Sequence, residues 1–131
     1  MDDDLARHVR ERAAGRREYR RLPQDASYVP FEIDHIIARK HGGPTVASNL
    51  ANACWYCNGF KGSDISGLDP KTRKLTRLFH PRRHKWGHHF RYDGLLLIGR
   101  TAIGRTTIRV PRINRDEAIA LRESLIAEGL F

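Results

Sequence analysis

Residues 31–62 read FEIDHIIARKHGGPTVASNLANACWYCNGFKG, and this stretch decides the fold. Its opening, residues 31–33, begins a short strand of alternating character, and residues 49–54 form a candidate second strand. The letters GGPT at 42–45 are a strong turn signal between the two strands. A short helix is expected to follow and to end near Gly62. The stretch therefore predicts a strand, a turn, a second strand and a helix, in that order.

The C-terminal third of the chain predicts a pair of strands and a helix. Residues 90–98 and 106–110 have the apolar and β-branched character of strands, with Gly99 and Gly104 in the connection between them. Asn114 is the expected cap of a last helix, whose first turn is acidic. These elements, added to the central stretch, predict the α+β class.

Length and composition indicate one globular domain over residues 1–131. A hydrophobic fraction of 40% with 30% charged residues is normal for such a domain. Residues 2–14 are expected to form an N-terminal helix with acidic residues at its positive end. No apolar run reaches the roughly 20 residues of a membrane helix, and the N-terminus lacks the order of a secretory signal. With only two cysteines, a reducing, cytoplasmic location is expected.

The positive charge of the chain is concentrated in one segment. The net charge is +9, and residues 71–92 contribute +8, because they hold eight basic and no acidic side chains. Phe79, Trp86 and Phe90 are interleaved with them. A solvated face would explain such a run, and an acidic protein or a membrane surface would suit the total charge. This pattern nevertheless favours a surface that contacts nucleic-acid phosphates. The candidate contacts within it are Arg82, Arg83 and Lys85.

Four residues of the central stretch carry the predicted chemistry. Asp34 and His35 end the first strand and should point to opposite faces. Asp34 and Asn58 offer hard oxygen atoms, which suit the sparse, hydrated coordination of Mg²⁺. His35 has an ordinary pKa of ~6.5, which suits a general base near neutral pH. Asn49 is the candidate group that orients its ring.

These residues resemble the HNH endonuclease motif, in the variant that ends in asparagine. The resemblance rests on Asp34-His35, on Asn49, and on Asn58 followed by Lys61-Gly62. The spacing is also similar to that of the HNH domain of RNA-guided DNA nucleases. Segments within residues 79–106 resemble the C-terminal extension of a group of small bacterial HNH proteins, so the likeness reaches most of the chain.

The resemblance implies a ββα-metal core with flanking N- and C-terminal helices and a C-terminal β pair. It also implies metal-dependent hydrolysis of phosphodiester bonds in DNA. His35 would be the general base, supported by Asn49, while Asp34 and Asn58 would hold one divalent cation, Mg²⁺ or Mn²⁺. Lys61 would lie beside the scissile phosphate or form a solvated helix end.

One feature departs from the family pattern. Relatives often carry two Cys-x-x-Cys pairs that hold zinc, whereas this chain has Cys54 and Cys57 but Arg17 and Arg20 at the place of the other pair. Two thiolates do not complete a four-ligand zinc site. A histidine could complete it, and the candidates are His8 and His41. The expectation is that the cysteines are reduced and packed, without structural zinc.

Two alternatives remain open at this stage. The chain could be a non-catalytic nucleic-acid-binding or adaptor module on the same fold, since loss of a zinc pair is compatible with relaxed constraint. RNA could replace DNA as substrate, because a one-metal phosphodiesterase site acts on the phosphate and not on the base.

Overall fold

A computed structural model describes residues 2–14, 16, 18, 19, 21 and 31–129. The helices are α1 (Asp3–Arg12), α2 (Trp55–Lys61), α3 (Trp86–His89), α4 (Ala102–Arg109) and α5 (Asp116–Ala127). The strands are β1 (Phe31–His35), β2 (Leu50–Cys54), β3 (Ser66–Leu68), β4 (Leu75–Arg77), β5 (Phe90–Asp93) and β6 (Leu96–Gly99). In this described part of the chain the strands pair in sequence order into antiparallel two-stranded sheets. The α+β class is therefore confirmed.

Strands β1 and β2 and helix α2 form a continuous unit. The strands pair antiparallel, with His35 opposite Leu50 at the end that opens into the connecting loop. Helix α2 begins directly after β2 and ends at Gly62, whose φ of 54° is unfavourable for other residues. The predicted strand, turn, strand and helix are all present, with boundaries within about one residue of those expected.

Helix α1 is fixed to this unit from its C-terminal end. Its start is capped by Asp2, whose side chain accepts a hydrogen bond from the backbone N–H of Leu5 at 2.8 Å. In its last turn, the guanidinium of Arg12 donates to the carbonyls of Ala47 and Leu50, at 3.0 and 2.7 Å. The predicted N-terminal helix is confirmed, and Arg12 joins it to the beginning of β2.

The prediction of a strand at 106–110 is wrong, because most of this segment lies in helix α4. The β pair is instead the hairpin of β5 and β6. Strand β5 lies within the segment 90–98 that is predicted as a single strand, and β6 ends one residue beyond it. Thr101 caps α4 by accepting from the N–H of Gly104 at 3.1 Å. A Cβ at Gly104 would lie 2.2 Å from the carbonyl oxygen of His89, so this helix packs directly on backbone. Capping and close packing outweigh the β propensity of the threonines.

Asn114 does not cap α5, which corrects a second prediction. Its amide instead bonds both backbone groups of Leu97, accepting from the N–H at 3.1 Å and donating to the carbonyl at 2.8 Å. The fully buried Arg122 of α5 donates to the Asn114 oxygen at 2.8 Å and to the carbonyl of Ile113. Asn114 thus ties the last helix to strand β6.

The aromatic residues of the basic segment belong largely to the hydrophobic core. Phe79 and Phe90 are almost fully buried and meet edge to face, with ring centroids 5.1 Å apart. Trp86 packs against them from the edge of the core. These rings therefore stabilise the fold and do not form a stacking surface for bases. No helix among the described residues is long and apolar enough to cross a membrane.

Candidate active site

Asp34 and His35 are the last two residues of β1. The Asp34 side chain is buried, whereas His35 is partly exposed. Together with Asn58 of α2, both residues line an open depression of about 350 Å³. Arg39 and Gly62 complete part of its wall. The structure thus brings together three of the four residues predicted to carry the chemistry.

The imidazole of His35 is held by a partner that the sequence reading missed. Its Nε2 lies 2.9 Å from Oγ1 of Thr45, across the loop between β1 and β2. Partial burial and the positive charge of Arg39 lower the pKa of His35, so its ring is neutral at pH 7. In the tautomer in which Nε2 carries the proton and donates to Thr45, Nδ1 holds the lone pair that can accept a proton. The letters GGPT predict a turn, and the hydroxyl of Thr45 at their end is the sequence signal for this contact.

Asn49, the fourth predicted residue, closes the loop that carries His35 and Thr45. Its oxygen accepts from the N–H of Ile37, and its nitrogen donates to the carbonyls of Ile37 and Pro44, all at 2.9 Å. These backbone groups lie two residues after His35 and one residue before Thr45. Asn49 is itself buried, and these side-chain hydrogen bonds go to backbone groups of the loop. Its geometry is that of a residue that positions both halves of the His35–Thr45 contact.

Asp34 lies opposite a buried lysine. The Nζ of Lys61 is 3.4 Å from Oδ2 of Asp34, and it also donates to the carbonyl of Ile36 at 3.3 Å. The separation is that of an ion pair, but Oδ2 has no well-directed hydrogen bond. Burial raises the pKa of Asp34 to about 6, because it outweighs the opposing effect of Lys61. The interpretation of Lys61 as a solvated helix end is therefore wrong.

Asn58 is oriented by a carboxylate that sequence reasoning also missed. Its Nδ2 donates to Oε1 of Glu32 at 2.7 Å, across from α2 to β1. The amide is thereby turned so that Oδ1 is its remaining acceptor. Glu32 lies two residues before Asp34, and this spacing places both on one face of β1.

The oxygen atoms at this site fit a hard divalent cation. Asp34 contributes a carboxylate oxygen without a directed hydrogen bond, and Asn58 contributes an amide oxygen from the facing helix. Among the described residues no group of three or more His, Cys, Asp or Glu side chains is arranged to hold a metal. A cation site with two ligands from the protein, and with water and phosphate as the remaining ligands, is compatible with both observations.

The cysteine region offers no completed zinc site in the described part of the chain. Cys54 is buried in the core, while the Cys57 side chain and Arg17 and Arg20 lie outside the described residues. The two histidines considered as additional ligands, His8 and His41, are exposed. Absence of structural zinc therefore stays a prediction.

The predicted phosphate contacts differ in availability. Arg82 is mostly buried and pairs with Glu18, and burial together with Arg12 lowers the pKa of Arg82 to about 10. Its charge is thus neutralised within the fold, which argues against the predicted phosphate contact. Arg83 and Lys85 are exposed.

The comparison with protein families agrees with this site. Residues 22–64 match the family described as HNH endonuclease. The range contains the β1–β2–α2 unit and the residues of the candidate active site, so the match to this family covers the segment that forms the site. No curated protein and no solved structure matches the chain significantly. The family match supports a nuclease-type function in general, with nucleic acid as the class of molecule acted on.

Proposed function

We propose that the protein is a metal-dependent endonuclease that hydrolyses phosphodiester bonds in DNA. The single observation that carries this proposal is the convergence of Asp34, His35 and Asn58 on one open depression within the HNH segment. The depression is open to solvent, and its chemistry combines the imidazole of His35 with two hard oxygen atoms that could bind a cation.

His35 acts as the general base in this proposal. Its Nδ1 takes a proton from the attacking water, while the bond from Nε2 to Thr45 holds the ring plane. Asn49 fixes the loop on both sides of that contact and acts as a positioning residue. Loss of either support leaves the base present but misaligned.

Asp34 and Asn58 would hold the divalent cation, with Mg²⁺ or Mn²⁺ as the expected ion. When bound, the cation supplies stabilisation of the negative charge that develops on the phosphate and on the leaving oxygen. Glu32 keeps the Asn58 oxygen directed to the site, and Lys61 holds Asp34 by charge. Arg83 and Lys85 remain candidate contacts to the DNA backbone.

A second candidate is a non-catalytic nucleic-acid-binding module. One observation favours it: the ammonium group of Lys61 already faces Asp34, where a catalytic cation would bind. In that case Lys61 would be a structural substitute for the metal, and the site would have lost its reaction.

Assays of cleavage and binding by the wild-type protein on DNA and RNA distinguish these functions. Supercoiled DNA and a matched RNA are incubated with Mg²⁺, Mn²⁺ or EDTA. The proposal predicts nicking of DNA that requires metal. Binding that is weakened by salt, unchanged by EDTA and unaccompanied by cleavage selects the non-catalytic module, and faster cleavage of RNA assigns RNA as the substrate.

A further inference from the structure

We propose that the hairpin formed by β3, β4 and their turn, residues 66–77, is a preformed binding site for the backbone of duplex DNA. The inference rests on the proposed function only in taking DNA as the substrate. The proposed DNA contact is one structural element and not the whole basic segment 71–92. Its residues differ from the contacts predicted from sequence, which are Arg82, Arg83 and Lys85.

The turn of this hairpin is organised around the carboxylate of Asp69. Oδ1 accepts from the N–H of Lys71 at 3.2 Å, and Oδ2 accepts from the hydroxyl of Thr72 at 2.8 Å. The N–H of Arg73 donates to the Asp69 carbonyl at 2.8 Å, and the Asp69 N–H donates to the Lys74 carbonyl at 3.0 Å. The backbone of the turn is thus fixed before any ligand binds, which lowers the entropic cost of binding.

Helix α4 anchors the turn. Arg105 donates from Nε and Nη2 to the two oxygens of Asp69, both at 2.9 Å, and Asp69 is fully buried. A Cβ at Gly67 would lie 2.7 Å from Val110, so the inner face of the hairpin is packed closely on this region of the chain. Because Arg105 neutralises Asp69, the only carboxylate of the hairpin does not repel an anion.

The anchored turn exposes three basic side chains, those of Lys71, Arg73 and Lys74. Within the part of the chain that the structure describes, no carboxylate forms an ion pair with any of them. Arg73 adopts a left-handed φ of 62°, an uncommon conformation for arginine that the surrounding hydrogen bonds maintain. A rigid turn with uncompensated positive charges suits a phosphodiester backbone, whose affinity derives from neutralised phosphates.

The outer face of the hairpin adds apolar contact. Leu68 and Leu75 are cross-strand partners on this face, and they are 54% and 75% exposed. Arg77 follows on the same face and lines a groove of about 320 Å³ that also includes Lys61 and Ile36 from the active-site side. Apolar side chains flanked by basic ones are typical of proteins that contact the minor groove of DNA. Lys61, which faces Asp34 of the candidate active site, lines this groove together with the carboxylate-bearing Asp64.

The test is DNA binding measured by fluorescence anisotropy in EDTA over a range of salt concentrations. The variant Lys71→Gln/Lys74→Gln is compared with Arg7→Gln/Arg10→Gln, which removes the same charge from exposed positions on α1. We expect the hairpin variant to bind roughly tenfold or more weakly and its log–log salt slope to fall by about 2, at ~0.9 per phosphate contact. The α1 variant should retain the wild-type slope. Equal losses in both variants, or no DNA binding by the wild type, overturn the proposal.

Leu75→Ser tests the apolar contact separately. It should weaken DNA binding without changing the salt slope, because no charge is removed. Sedimentation of the wild type and the variant shows whether Leu75 instead joins two copies of the chain, and a dimer that Leu75→Ser dissociates would overturn the assignment of this face to DNA. Because binding is measured in EDTA, it does not depend on cleavage. A protein that binds DNA through the hairpin but does not cleave it would contradict the proposed endonuclease activity and would still support the hairpin as the DNA-binding site.

Discussion

At the scale of single residues, the decisive feature is the buried pair of Asp34 and Lys61. The carboxylate that we propose as a cation ligand faces an ammonium group 3.4 Å away, and both side chains are almost inaccessible to solvent. Since a buried charge without compensation is costly, Lys61 stabilises ionised Asp34 when no cation is bound. Lys61 is therefore a buried partner of Asp34, and its contact with a phosphate stays a prediction.

The Asp34 carboxyl should titrate near pH 6 in the metal-free protein, well above its ordinary value of 3.8. Because the native state holds this proton more tightly than the unfolded state, ionising Asp34 costs stability. The unfolding free energy should fall by roughly 3 kcal/mol as pH rises from about 4 to above 6. Carbon NMR of the side-chain carboxyl in EDTA measures the midpoint. A midpoint at or below about 4 would show that Lys61 outweighs burial.

The variant Thr45→Val should slow catalysis while leaving the stability of the protein almost unchanged. Thr45 is exposed, so removing its hydroxyl should change the unfolding free energy by less than about 1 kcal/mol. It should slow DNA nicking by roughly 10- to 100-fold, because the imidazole of His35 loses its fixed orientation. Urea unfolding and initial nicking rates measure the two effects. An unchanged rate would mean that Thr45 does not position His35.

Asn49→Ala is the buried counterpart of that variant. Loss of three hydrogen bonds at a buried position should cost about 2 to 4 kcal/mol of stability as well as rate. Partial recovery of both quantities in Asn49→Asp, which can still accept from the N–H of Ile37, would support the assigned bonding. No loss of stability in Asn49→Ala would contradict it.

Sequence reasoning found the residues that line the candidate site but missed those that contact and orient them. Asp34, His35 and Asn58 could be found because their chemistry and spacing are local properties of the chain. Thr45 and Glu32 were missed because their roles depend on how the loop folds back and on which face of α2 meets β1. The position of Lys61 could not be predicted for the same reason, since burial of a helix-end lysine is decided by tertiary packing.

At the scale of elements, the prediction succeeded where pattern and local chemistry agree. In the β1–β2–α2 unit, alternation, a turn signal and a terminating glycine all indicate the same structure. Residues 106–110 are the contrary case, because their β-branched composition indicates a strand whereas capping by Thr101 and backbone packing at Gly104 require a helix. Residues 66–77 showed no strand pattern, since β3 and β4 are only three residues long each.

Gly104→Ala should be strongly destabilising. Its Cβ would lie 2.2 Å from the carbonyl oxygen of His89, and backbone on both sides leaves little freedom to move. We expect a loss of at least about 2 kcal/mol in the free energy of unfolding, measured with urea. Gly87→Ala is the matched control, because a Cβ there meets nothing within 4 Å. Equal stability of the two variants would contradict the packing of α4 described above.

At the scale of the whole molecule, the structure shows which basic residues of the positively charged segment are exposed. The segment 71–92 carries +8 in sequence, but Arg82 is neutralised by Glu18 and the interleaved aromatic residues lie in the core. Within this segment the exposed basic residues are those of the hairpin of residues 66–77 together with Arg83, Lys85 and Arg91. The sequence could predict the total and its segment, whereas only the fold determines which charges remain available to a polyanion.

The most direct test of the account is the initial rate of nicking of supercoiled DNA in Mg²⁺ by the wild type, His35→Ala and His41→Ala. His41 is an exposed histidine in the same loop and serves as the control. If His35 is the general base, His35→Ala should lose roughly 100-fold or more of the rate while remaining folded, and His41→Ala should keep the wild-type rate. Equal nicking by wild type and His35→Ala would contradict the central claim.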